Sequence, residues 1–143
     1  MWDADLTASE TGGELVADRI EITTDAAPLG SGAYSQAIRA GDFVYISGQG
    51  PLDPATLEVV GTTIEEQTEI TLGNLAAIAA AAGGSLADVV KVSVFLASID
   101  LFAGFDATYA RIFGELPRPA RTTTGAELKG ILVEIDAVLH LPR

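Results

Sequence analysis

The chain has no cysteine and a single histidine, His140. The first absence excludes disulfides, thiolate zinc sites and cysteine nucleophiles. The second leaves no imidazole cluster for a metal within one subunit, so neither metal nor cofactor is expected. Basic residues are also scarce. Eight Lys and Arg stand against 20 Asp and Glu, for a formal net charge of −12. Such a surface repels phosphate backbones and anionic lipid, which argues against a nucleic-acid or membrane partner. No apolar run approaches the roughly 18 residues that span a bilayer. The N-terminus, M-W-D-A-D, lacks the basic and apolar regions of a secretory signal, so a cytoplasmic location is expected. The glycines at 48, 50 and 61 are not followed by G-K-[ST], which excludes a phosphate loop.

What remains is a chain of 143 residues, 48% of them apolar. That is enough for one domain with its own core. Residues 1–17 are small, polar and acidic without period, and read as an N-terminal extension that is partly flexible. Residues 18–143 read as a single domain. Arg19 to Thr23 alternates like a strand. Tyr34 to Arg39 and Phe43 to Ser47 read as a strand pair, turning at Ala40-Gly41-Asp42. Thr63-Ile64-Glu65-Glu66 fits a capping box, and the apolar spacing predicts a helix that ends at Gly83-Gly84. Val89 to Leu96 is a strand with Val90, Val92, Val94 and Leu96 on one face and Lys91 and Ser93 on the other. A second helix runs from about Asp100 to Gly114, with Phe102, Phe105, Tyr109, Ile112 and Phe113 as its apolar stripe. Ala120 to Gly125 and Ile131 to Leu139 are the last strands. The order β-β-β-α-β-α-β-β predicts an α+β fold, a mixed six-stranded sheet with two helices on one face. The other face, carrying Lys91, Ser93, Glu134 and Val138, is then open to a partner subunit.

Five segments in order resemble the Rid (reactive intermediate deaminase) family, also called YjgF/L-PSP. They are G-A-Y-S-Q-A (Gly32 to Ala37), S-G-Q-x-P-x-D-P (Ser47 to Pro54), V-V-K-x-x-V-F-L (Val89 to Leu96), R-P-A-R-T (Arg118 to Thr122) and V-E-I-D-A (Val133 to Ala137). The resemblance covers about Ala26 to Leu141. The resemblance implies a chorismate-mutase-like fold that forms a homotrimer, with an inner β-barrel, outer helices and an active-site cleft between each pair of subunits. It also implies cofactor-free hydrolysis of enamines and imines of small amino acids, of the 2-aminoacrylate, 2-iminopropanoate and 2-iminobutanoate type.

Arg121 corresponds to the family's central arginine. A planar guanidinium binds a carboxylate through two parallel hydrogen bonds, the grip that a small anionic substrate needs. The competing reading is a surface salt bridge. Glu134 corresponds to a glutamate that holds or activates water, and a carboxylate so placed can relay a proton. Tyr34, Ser47, Gly48 and Gln49 correspond to residues lining the cleft, where a glycine lets backbone approach a ligand. Thr123 stands where the family often has cysteine. Asp106 stands where many active deaminases carry asparagine, and Glu127-Leu128 replaces an apolar-proline pair. These departures imply altered substrate preference or reduced deaminase activity. Asp136 shares the Glu134 face but lies further along the strand. Strand alternation predicts that Arg118 faces away from Arg121, as a solvated residue. His140 reads as an exposed strand-end residue. Beside the deaminase stand two alternatives: a pathway-specific Rid protein for a larger imine or enamine, and a trimer that binds small metabolites without turnover.

Overall fold

The computed structural model describes Glu10–Thr11, Glu14–Leu15 and residues 19–143. Glu10–Thr11 (β1) pairs antiparallel with Glu14–Leu15 (β2). The rest of the expected extension lies outside the described residues. Residues 19–143 build one six-stranded sheet from β3 (Arg19–Ile22), β4 (Ala37–Ala40), β5 (Phe43–Gln49), β6 (Val89–Leu96), β7 (Ala120–Gly125) and β8 (Val133–His140). Their spatial order is β3-β4-β5-β8-β6-β7. All neighbours are antiparallel except β6 and β7. That parallel step needs a crossover, which α2 (Phe102–Phe113) supplies.

Local chemistry sets the helix ends. Thr63 caps α1 (Ile64–Ala81) by accepting from Glu66 N–H at 3.2 Å. The returning Glu66 carboxylate reaches Thr62 N–H at 2.8 Å, one residue before the position a capping box specifies. Gly83, at φ +92°, closes the other end, with Gly84 N–H donating to Ala79. A complete capping box occurs instead at Ser85 and Asp88. A 3-10 turn, Ile99–Leu101, precedes α2, so the α-helix proper begins two residues later than the sequence pattern predicts.

Both helices cover one sheet face. Leu72, Leu75, Ile78, Phe105 and Phe113 are buried with Val44, Val92, Val94, Leu96, Val133, Ile135 and Leu139. Truncating one of these Phe or Leu residues to Ala should cost about 2–5 kcal/mol. On β8 the alternation is unbroken: Val133, Ile135, Ala137 and Leu139 face the helices, while Glu134, Asp136 and Val138 face away.

The expected face assignment of β6 fails at one residue. Val90 is 43% exposed and Val89 is buried instead. Opposite the single step from Leu139 to Val138, β6 advances from Val89 to Lys91. The extra residue forms a bulge that turns Val90 out of the core. Tyr34 also departs from expectation. β4 begins only at Ala37, and Tyr34 lies in the preceding loop, 55% exposed.

Candidate functional site

The loop ending at Tyr34 is held by Gln36, which is buried. Its Nε2 donates to the carbonyls of Thr24, Ala27 and Pro28 at 3.1, 3.2 and 2.9 Å, and its Oε1 accepts from Thr24 N–H at 2.8 Å. A buried amide satisfied this fully fixes the backbone around it. The Tyr34 ring lies against Gly30 and Gly32, where an added Cβ would come within 2.5 and 2.9 Å of it. Tyr34, Gly48 and Gln49 line a cleft of ≈ 150 Å³.

β5 bulges where it reaches this cleft. It advances from Ile46 to Gln49 while β8 moves only from Ala137 to Ile135. The bulge brings Ser47 and Gly48 opposite the outward face of β8. Ser47 Oγ donates to Ser35 O at 2.6 Å, tying the strand to the Tyr34 loop. A Cβ on Gly48 would sit 3.0 Å from Glu134 Cδ. Ser47, Gly48 and Asp136 line a shallow cleft of ≈ 350 Å³ on the face away from the helices. Asp136 is committed there, since its Oδ1 accepts from Ser93 N–H at 3.2 Å. Glu134 carries no such bond among the described residues.

Arg121 lies on the other side of the sheet. It pairs with buried Val92 in the parallel ladder, so it points toward α2. Its guanidinium carbon stands 5.6, 5.3 and 4.8 Å from the ring centres of Phe102, Phe105 and Tyr109. All three rings lie within cation–π distance and exclude water from part of the cation. Nη2 donates to Asp106 Oδ1 at 2.8 Å. Among the described residues Nε and Nη1 have no partner. The side chain is only 19% exposed. Arg121 is thus salt-bridged to Asp106 and keeps donors without a partner among the described residues.

Asp106, Tyr109, Arg118 and Arg121 line a cleft of ≈ 260 Å³. Arg118 therefore does not face away from Arg121. The strand starts at Ala120, so the two-residue alternation does not apply to Arg118 before it. The Tyr109 hydroxyl and Thr123 Oγ1 are both buried without a partner among the described residues. Burial pushes the Tyr109 phenol up to about 12, against the pull of the Arg121 and Arg118 charges. Glu127 is exposed in the segment after β7. His140 is exposed at the end of β8, its ring 5.2 Å from that of Phe43, as expected.

The predicted site residues thus form two groups. Tyr34, Ser47, Gly48, Gln49 and Glu134 gather around the β5 bulge, while Arg121, Asp106 and Thr123 gather at the α2–β7 edge. Within one chain, Arg121 and Glu134 point to opposite faces of the sheet. Two residues were not singled out as site residues in the sequence. Gln36 was visible within G-A-Y-S-Q-A, but only its contacts reveal its role, and Tyr109 looked like part of an apolar stripe. Arg118 is solvated, as read from the sequence, but lies on the Arg121 side.

The sequence model of the family described as Endoribonuclease L-PSP matches residues 24–141. The chain belongs to the Rid (YjgF/L-PSP) family. A RutC family protein of Pyrococcus horikoshii is 46% identical over 121 residues, covering 83% of this chain and 95% of that one. The crystal structure of RidA from the Antarctic bacterium Psychrobacter is 41% identical, with a TM-score of 0.81 over 85% of this chain and 99% of that one. The crystal structure of Escherichia coli TdcF with bound serine is 31% identical, with a TM-score of 0.79 over 85% and 98%. These Rid structures share the six-stranded mixed sheet with two helices, so the fold class read from the residues is the family's fold. Among the described residues, no helix is long and apolar enough to cross a membrane.

Proposed function

We propose that this Rid protein is a cofactor-free hydrolytic deaminase for small enamine and imine acids, acting as a homotrimer. The observation that carries this reading is Arg121: a cation beside three rings, lining a cleft, with Nε and Nη1 unpartnered among the described residues. That arrangement suits a small carboxylate. Serine, bound in the TdcF structure, is such a molecule.

The division of the site supports an assembly of more than one subunit, and the family resemblance makes that assembly a trimer. Arg121, Asp106 and Thr123 sit at one edge, whereas Glu134, Ser47, Gly48, Gln49 and Tyr34 sit around a bulge on β5. One substrate can meet both sets only if the edge of one subunit docks on the open sheet face of another. That face exposes Phe43 and Tyr45, which favours burial against a second copy. In the assembled cleft Arg121 holds the substrate carboxylate. Glu134 orients water and takes its proton as the oxygen bonds to the carbon of the protonated imine, and the C=N π pair moves to nitrogen. Glu134 then returns that proton to nitrogen, an oxygen lone pair re-forms C=O, the C–N bond breaks, and ammonia leaves, taking up the hydroxyl proton as ammonium. A 2-keto acid remains. Water is the nucleophile, so the reaction itself asks for no cofactor.

The test is turnover of enzymatically generated 2-aminoacrylate, with residual imine trapped by semicarbazide. Wild-type protein should suppress the trapped product, and Arg121→Ala should not. Equal trapping with and without wild-type protein would sink the deaminase reading. The family description, Endoribonuclease L-PSP, also points to ribonuclease chemistry. A net charge of −12 and only eight basic residues oppose it, since RNA binding needs a cationic surface.

A further inference from the structure

The chain has eight basic residues, and two of them line one small cleft. Arg121 is committed in part to Asp106 through the 2.8 Å bond from Nη2. Asp106 thereby cancels one of the two positive charges in the cleft. Arg118 has no partner among the described residues and is exposed at its mouth. The formal charge of the lining, two arginines and one aspartate, is therefore +1. Without Arg118 it would be zero, inside a chain carrying −12. A carboxylate approaching such a neutral cleft would meet mainly the repulsion of the whole molecule.

Tyr109 gives an independent sign that the cleft takes a polar ligand. It lines the same space, it is only 3% exposed, and its hydroxyl has no partner among the described residues. A buried donor left open costs stability unless something else uses it. Both arginines are near enough to draw the Tyr109 phenol toward ionisation, although burial wins. Their fields therefore overlap in the cleft.

We propose that Arg118 is a second substrate-binding residue, which restores the positive charge that Asp106 takes from Arg121 and holds a small carboxylate jointly with it. The proposal rests on the reading that the Arg121 cleft receives a carboxylate, and it adds the group that attracts it. Asp106 and Arg118 then act as an opposed pair. Asp106 orients Arg121 and weakens its pull, and Arg118 offsets the weakening.

The probe is pyruvate, a stable 2-keto acid, titrated calorimetrically into the full chain, alongside KM and kcat for 2-iminopropanoate. Arg118→Ala should weaken pyruvate binding and raise KM by roughly 5- to 20-fold, less than a fully buried charge-assisted contact because Arg118 is exposed, with kcat changed far less. Arg118→Lys should keep most of the binding, because the charge remains. Asp106→Asn should tighten binding, and the double variant Asp106→Asn/Arg118→Ala should return close to wild type, since its cleft charge is again +1. Raising salt toward 1 M, where the screening length is about 3 Å, should shrink the Arg118→Ala effect. Wild-type binding in Arg118→Ala would overturn the proposal. So would equal losses in the Lys and Ala variants with no recovery in the double variant. No pyruvate binding by the wild type would also overturn it. If pyruvate binds and depends on Arg118 while no imine is hydrolysed, the second cation stands and the deaminase reading falls.

Discussion

Gly48 lies tight against Glu134: a Cβ on residue 48 would sit 3.0 Å from the Glu134 carboxyl carbon, so the side chain would have to give way. The close approach comes from the β5 bulge, and it sets where the carboxylate can rest. Gly48→Ala should therefore displace Glu134. The backbone at Gly48 is not in the left-handed region, and the obstructing atoms belong to a flexible side chain, so the melting temperature should move by only a few degrees. Turnover should fall by at least about 10-fold, because small misplacements of a reacting group cost that much or more. Steady-state kinetics together with thermal melts separate the two effects. Unchanged kcat/KM would remove Glu134 from the mechanism.

Arg121 couples activity to packing. Arg121→Lys keeps the charge but loses the planar fork, and kcat/KM should drop roughly 10- to 150-fold. Arg121→Ala should cost more. The alanine variant should also lose about 1–2 kcal/mol of stability, because the guanidinium lies over three rings. That corresponds to a melting temperature lower by roughly 3–8 °C. An arginine read as a ligand clamp from sequence carries no such expectation. Calorimetric melts of both variants decide it.

Tyr109 makes an alkaline prediction with a definite sign. Its phenol is raised from 10.0 to about 12 in the folded chain, chiefly by burial. The unfolded chain therefore releases this proton first. Between pH 10 and 12 the folded state binds more protons than the unfolded state, so stability falls as pH rises. Tyr109→Phe should flatten that decline. Near pH 7 the variant should be as stable as wild type or more so, because it removes a buried hydroxyl with no partner among the described residues. Denaturant midpoints across this range test both statements. A steeper alkaline loss in the Phe variant would contradict them.

Tyr45 reports on assembly. It is 50% exposed on the sheet face away from the helices. The intact protein should sediment as a trimer at micromolar concentration, and Tyr45→Glu should sediment as a monomer, since burying an unpaired carboxylate is costly. If wild-type protein sediments as a monomer, the shared cleft is lost, and with it the joint action of Arg121 and Glu134.

Much of this fold was legible because its signals are local. The two-residue period of Val133 to Leu139 marked a strand with one buried face. Thr63 and Gly83 marked the ends of α1 through their own backbone chemistry. The Rid segments placed Arg121 and Glu134 in a functional context, and the acidity argued against RNA. Tertiary structure decided what depends on neighbours. The Val90 bulge arises from the pairing of β6 with β8, which no property of Val90 announces. Tyr34 left its expected strand because Gln36 gathers three carbonyls from a segment 8 to 12 residues earlier. Arg118 joined the Arg121 cleft because the strand begins only after Pro119, and α2 supplies the cleft's other wall. The opposite orientations of Arg121 and Glu134 also emerged only from the pairing of their strands. Periodicity assigns a side chain to one face of its own strand. Only the assembled sheet relates the faces of separate strands, because that relation is set by long-range hydrogen bonding and packing.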